Sequence, residues 1–316
     1  MVKYIFSGGL TQPMANYLMN MPRFEPLHVL ETQLDRSSIV SAIKFIEQGV
    51  IADLFLDSGA FSVHTGKAKV DVDEYIEYIN SIDQYVSAVA QLDTIPGTFG
   101  KPKSPEDYKI SSEKSWENFL YMYDKLKSPE KLIPVFHFGE PFSTLKNMLD
   151  WRDSKGRQLS YVGISPANDT SQNIKNRYMG EVYDFIARSA NPSVHTHLFG
   201  MTSLDALTKY PAYSADSVSH RLVGAYNKIF VPEFGTISLS KKSRTSKSKS
   251  SQSFTDVADA ASVERLKAYL ASLNLTLEEC EEQHSARCAV SMRGILDWLE
   301  AHPYKPTNRV THVRLF

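Results

Sequence analysis

Cysteine is the scarcest functional residue in this chain, with only Cys280 and Cys288 among 316 residues. Two cysteines cannot build a disulfide scaffold, and their rarity fits a reducing compartment, so a cytoplasmic protein is expected. Net charge is nearly absent as well: 35 lysines and arginines face 36 acids, for a formal charge of -1. That balance excludes a strongly basic field over the whole protein, and any nucleic-acid contact has to come from a local patch. No uncharged apolar stretch reaches membrane-spanning length, and the early run Tyr4-Ile5-Phe6 is too short for a signal-peptide core. A soluble protein with no membrane partner is the expectation. Also missing is a glycine-rich phosphate loop after any apolar run. Gly8-Gly9 and Gly97-Thr98-Phe99-Gly100 read as turns, which argues against a Rossmann or P-loop nucleotide site.

What the chain does contain is an alternation of two periods. Hydrophobic residues make up 42%, enough to bury one main core. Short apolar runs at 4–6, 54–56, 86–92, 132–138, 161–164 and 195–199 read as buried strands. Between them, 37–48, 72–82, 112–126, 144–151, 173–189 and 203–209 carry helical spacing. A strand ending at Ser214 and a last one near 229–234 bring the number of βα units to about that which closes a barrel. The expected fold is α/β, a (β/α)8 TIM-like barrel over residues 1–237 with a small helical C-terminal appendage over 256–316. Helices near 262–270 and 277–299 would cover the barrel or form a subunit contact, which leaves a homodimer open. Between barrel and appendage, 238–255 is a basic Ser/Lys-rich loop or linker without apolar periodicity.

The chemistry concentrates at strand ends. Leu54-Phe55-Leu56-Asp57-Ser58-Gly59-Ala60-Phe61-Ser62 delivers a carboxylate at the end of an apolar run and turns on a glycine, and Tyr213-Ser214-Ala215-Asp216-Ser217 delivers a second. The plain alternative is local: Asp57 or Ser58 caps the next helix, and Ser217 or Ser219 caps the helix through Val223 and Tyr226. The wider series favours a site. Asp57, Asp93, His137, Gly163 and Asp216 all fall at strand ends that a barrel would gather at one mouth. Two carboxylates there suit a double displacement at an anomeric carbon, one attacking and the other carrying the proton, with no redox cofactor. His195 and His197 share one face of a strand and are not read as metal ligands.

The series resembles the tRNA-guanine transglycosylase superfamily, and within it the short virus-associated DNA 7-deazaguanine transglycosylases. The resemblance rests on Asp57-Ser58-Gly59-Ala60-Phe61-Ser62, Gln91-Leu92-Asp93, Ile133-Pro134-Val135-Phe136-His137, Gly163, His197-Leu198-Phe199-Gly200-Met201-Thr202 and Tyr213-Ser214-Ala215-Asp216-Ser217, in the family's order over most of residues 1–235. It implies that Asp216 is the nucleophile that attacks C1′ and expels guanine, and that Asp57 is the general acid and base. It implies too that Asp93 reads the base, with Ser58, Phe61, Gly163 and Gly200 around it. The family's base-contacting glutamine falls at His137 or Phe138, the register leaving both open; for His137 a paired core histidine is the competing reading.

DNA is the preferred polymer by this resemblance, with tRNA as the alternative. A 7-deazaguanine such as the cyano or aminomethyl base, preQ0 or preQ1, would be the incoming partner, and the host cytoplasm the location for a viral chain. Lys241, Lys242, Arg244, Lys247 and Lys249 are the candidates for the nucleic-acid backbone, against a solvated insertion. The family's zinc run departs here: Cys280, His284 and Cys288 lie at helical spacing and no third cysteine exists, so the usual ligand set is incomplete and no metal is required, with His284 and one or both cysteines as the weaker, metal-binding alternative. Other readings of the same acids are a retaining glycoside or nucleoside hydrolase and an inert nucleic-acid-binding barrel.

Overall fold

The computed structural model describes residues 2–166, 171–201, 203–239 and 252–305. Nine parallel strands wind into one sheet: β1 (Lys3–Ser7), β2 (Leu27–Thr32), β3 (Ile51–Asp57), β4 (Val86–Ala90), β5 (Leu132–Ile133), β6 (Val135–His137), β7 (Tyr161–Ser165), β8 (His195–Leu198) and β9 (Ser214–Ser217). Their order is β5-β4-β3-β2-β1-β9-β8-β7-β6. The two apparent edges are one strand, because β5 and β6 flank Pro134. Proline has no N–H to give to a ladder, and the pairing changes partner there. Leu132 and Ile133 pair with β4, whereas Val135 to His137 pair with β7. The seam is closed by Gly163 N donating to Pro134 O at 2.8 Å and Gln91 N to Ile133 O at 3.0 Å. Nine strands with two halves of one leave eight staves, the expected TIM-like barrel.

One expected stave is misplaced. The run near 229–234 lies outside the barrel, as β10 (Lys228–Val231) antiparallel to β11 (Gly235–Ser238). The missing stave is β2, which the apolar pattern did not reveal because His28 and Glu31 interrupt it. Tertiary contacts make both tolerable: His28 Nδ1 meets Asp53 Oδ1 at 3.1 Å. Glu31 is buried, and burial together with the Asp35 charge pushes its carboxyl up to about 7, against the pull of Arg221 and the Gly9 N–H. Likewise Ser214 begins β9 rather than ending a strand, so Asp216 is a strand residue and not part of the following turn.

Alternation along the strands makes two cores. Ile5, Leu30, Phe55, Ala88, Ala90 and Ile133 fill the barrel interior. Val29, Leu54, Leu56, Val89, Phe136, Val162, Ile164, Leu198 and Ala215 face the helices. At the N-terminal mouth Lys3 pairs with Asp53, which also holds His28, so that end is plugged by charges of opposite sign. The C-terminal region supplies part of the wall. The helix His284–Ala301 packs against the helices Gln12–Met19 and Ser219–Ala225 and against β10. Phe230 N donates to Ser291 Oγ at 3.1 Å, and a Cβ at Gly294 would stand 2.5 Å from Phe230 O. The expected helix over 277–299 is two, Leu277–Glu282 and His284–Ala301. Among the described residues no helix is long and apolar enough to cross a membrane.

Candidate active site at the C-terminal mouth

Asp57 is the last residue of β3, and the chain turns immediately through Gly59, whose φ is 79°. A side chain at Gly59 would be strained by that φ and would place its Cβ 2.6 Å from Leu34 Cδ1. The turn points the Gly59 N–H back at Asp57 Oδ2, 2.9 Å away, while Ser58 Oγ accepts from Ala60 N at 3.3 Å. Asp57 and Ser58 thus brace the turn, whereas the helix Ala60–His64 begins at Gly59 with no side-chain cap, and Asp57 is left with an unusual carboxyl. Burial pushes it up to about 7, the Gly59 N–H pulls the other way, and the charges of Asp93 and Asp216 raise it further.

Asp93 and His137 form a second group lining a cavity of about 150 Å³ whose walls also include Asp57, Phe61, Ser165, Phe199 and Gly200. His137 Nε2 lies 2.7 Å from Asp93 Oδ2 and Nδ1 lies 3.2 Å from Glu140 Oε1. Burial alone would lower the histidine, but the two carboxylates override it and raise His137 to about 10. The ring is thus a cation joining two acids. Ser58 Oγ donates to Asp93 Oδ1 at 3.3 Å, which ties this group to the Asp57 turn. A carboxylate has about four lone-pair sites, so Asp93 keeps acceptor capacity toward the cavity. Two residues earlier, Gln91 is fully buried with neither amide atom bonded.

Asp216 is supported on three sides. Ser7 Oγ donates to Oδ2 at 2.6 Å, Gly200 N donates to Oδ1 at 2.8 Å, and His197 Nε2 stands 3.3 Å from Oδ1 without hydrogen-bond alignment. Burial works to raise Asp216, and His197, Ser7 and the Gly200 N–H outweigh it, holding the carboxyl below its ordinary value. His197 is itself fixed by Ser214 Oγ at 2.6 Å from Nδ1. Two acids with opposed proton affinities therefore sit at one mouth, the pattern by which a fold separates an acid from a nucleophile.

The other expected residues divide. Phe61 is on the cavity lip, 61% exposed. Phe138 points into the helix layer, edge-on to Tyr178 with ring centroids 4.9 Å apart, because it follows His137 and takes the opposite face; of the two, His137 lines the cavity, as a buried histidine paired with acids. The space at Gly163 is taken by a side chain: a Cβ there would meet Phe199 Cε2 at 2.5 Å, so this glycine makes room for Phe199, which forms the cavity wall. Gly200, with φ 62°, serves Asp216 through its N–H. His195 lies stacked on Tyr213, ring centroids 4.0 Å apart and exposed, and only His197 reaches the site. Lys241, Lys242, Arg244, Lys247 and Lys249 lie outside the described residues. Ser7 and Glu140 are site residues that sequence reasoning did not single out, His197 was considered only as a strand-face histidine, and Phe199 stood only within the run His197–Thr202. Ser7 ends a strand and that signal was there to use, whereas His197 and Glu140 act only through partners distant in the chain or across a turn.

The zinc question can be tested on the donors present. Cys280 and Cys288 are buried, and burial pushes their thiols up to about 12 and 11. Cys288 Sγ approaches His284 Nε2 at 3.5 Å one helical turn away, and among the described residues no group of three metal-ligating side chains gathers. This donor set does not fit a thiolate-rich tetrahedral site.

Fold and site together define a (β/α)8 barrel protein whose C-terminal mouth carries a paired-acid cluster. No protein-family model matches the chain. It is similar to "Uncharacterized protein 306" of Sulfolobus islandicus rod-shaped virus 1, at 25% identity over 179 residues, which covers 56% of this chain and 52% of that protein. The chain thus spans about half the length of the curated relative it matches.

Proposed function

We propose that this mouth exchanges guanine in nucleic acid, DNA in preference to tRNA, for a 7-deazaguanine through a covalent glycosyl-aspartate. The observation that carries the reading is the split between Asp216, held ionised, and Asp57, held near 7. In the first half, an Asp216 carboxylate oxygen bonds to C1′ as the C1′–N9 bond breaks, and Asp57 gives its proton to the departing guanine. In the second, Asp57 takes the N9 proton of the incoming base, N9 bonds to C1′, and the ester bond to Asp216 breaks. One group acting as acid and then as base is what microscopic reversibility asks of a retaining exchange. Asp93, oriented by His137 and Ser58, is placed to accept the N1–H and exocyclic amine of a guanine-like edge. A cavity of about 150 Å³, well under the roughly 300–1,000 Å³ of drug-sized sites, suits a single flipped base. The similarity to a viral protein is in keeping with a viral origin and with the host cytoplasm. The chemistry needs no cofactor.

The same acids admit a retaining glycoside or nucleoside hydrolase, with water in place of the second base. Release of labelled guanine from duplex DNA and from tRNA, with and without 7-deazaguanines, decides among these readings when wild type is compared with Asp216→Ala. Release from DNA that needs an added deazaguanine and vanishes in the variant is expected. Release from tRNA alone moves the chain to the RNA branch, and release without any added base favours the hydrolase.

A further inference from the structure

Two loops on one side of the cavity carry aromatic rings and positive charge together. After β3, residues 58–70 contain Phe61, His64, Lys67 and Lys69; after β4, residues 94–104 contain Phe99, Lys101 and Lys103; neither stretch has an acid. The first acids beyond them, Asp71 and Glu106, belong to the starts of the next helices, and Asp107 is occupied by Ser104. Within a chain of net charge -1 this is a local basic rim.

Its centre is Phe99. Gly97 and Gly100 both have positive φ, 72° and 76°, and Lys101 N donates to Thr98 O at 3.1 Å, which closes a turn with Phe99 at its tip. The ring is 58% exposed. It stands edge-on to Phe61 and to His64, with centroids 6.3 and 6.0 Å apart and interplanar angles of 88° and 86°. Partial burial and the charges of Lys103 and His137 lower the proton affinity of His64. An exposed ring presented by a two-glycine turn beside a base-sized cavity contributes nothing to the core. Lys67, Lys69 and Lys101 are exposed, and the Lys103 stem lies over Gly97.

We propose that Phe99 and His64, flanked by Lys67, Lys69, Lys101 and Lys103, are a shelf for the strand beside the target base, stacking the neighbouring unpaired nucleotide of DNA and holding its phosphates. The proposal rests on the nucleic-acid reading above and adds the direction in which the strand leaves the cavity. Aromatic faces take any base, and lysines track the backbone, the combination that binds single strands without sequence preference.

Fluorescence anisotropy of a labelled single-stranded DNA oligonucleotide on the full chain tests it, with melting curves to show that each variant folds. Phe99→Ala is expected to weaken binding about tenfold and Phe99→Trp to retain it. The double variant Lys101→Ala and Lys103→Ala is expected to reduce the slope of log affinity against log salt by about 1.4, about 0.7 for each phosphate that is no longer neutralised. Wild-type binding that is absent, or that Phe99→Ala leaves unchanged, overturns the proposal, as does an unaltered salt slope. Guanine release on the same preparations separates the two readings. Exchange with Phe99-independent binding overturns the shelf alone, and Phe99-dependent binding without any exchange leaves the shelf standing and removes the transglycosylase.

Discussion

His137 Nε2 lies 2.7 Å from Asp93 Oδ2 in a part of the mouth closed to bulk water. With Glu140 on the other ring nitrogen, the imidazolium keeps two acids from repelling each other and aims Asp93 at the cavity. The pairing has a pH signature. The folded-state value of about 10 stands above the ordinary 6.5, so the stability it contributes is complete below pH 6.5, declines as pH rises, and is gone above 10. His137→Gln is expected to flatten that decline and, below pH 6.5, to cost about 3 kcal/mol by stranding the carboxylates. Denaturant unfolding at a series of pH values measures both effects.

Asp57 titrates in the opposite sense to an ordinary salt-bridged acid. Its folded value of about 7 exceeds 3.8, chiefly through burial. The native state therefore loses stability as pH climbs from 3.8 to 7, where the buried carboxyl has to ionise. Asp57→Asn is expected to be more stable than wild type at alkaline pH, by about 4 kcal/mol, while abolishing base exchange. A variant less stable than wild type there would contradict this account, and the wild-type kcat/KM profile should bend near pH 7.

Ser7 donates the shortest of the hydrogen bonds that hold Asp216, at 2.6 Å. A bond to a charged group is worth about 1.5 kcal/mol, so Ser7→Ala is expected to slow exchange about tenfold. On the proposed mechanism KM should hold, since Ser7 touches Asp216 and not the base. Single-turnover rates report the change directly.

Gly163→Ala pushes a methyl to 2.5 Å from the Phe199 ring. Overpacking of this kind costs about 1–3 kcal/mol and drives Phe199 into the cavity, weakening base binding. Phe199→Leu in the same chain should recover most of the stability. Thermal melts of both single variants and the double give the coupling energy; additive losses would show that the two side chains do not share this space.

Some of the site was readable from chain order because strand ends are the positions a barrel gathers. Asp57, Asp93 and His137 belong to that class and line one cavity. Phe138, one residue along, lies on the opposite face; a strand alternates, so an error of one in register moves a residue from substrate to core. β2 escaped notice because pattern reading penalises His28 and Glu31, and their partners, Asp53 for one and Arg221 for the other, adjoin them only after folding.

The amino-acid order by itself determined the alternation of strand and helix, hence the barrel, because periodicity is a local property of apolar and polar residues. It also determined that Asp57 ends a strand. Closure of the cylinder decided the rest. It set β1 beside β9 and so brought Ser7 to Asp216 across 209 residues. It also enclosed Asp57 and Asp216 in one mouth, where burial and neighbouring groups set their proton affinities apart. Those affinities belong to the space between strands, and no stretch of sequence contains that space.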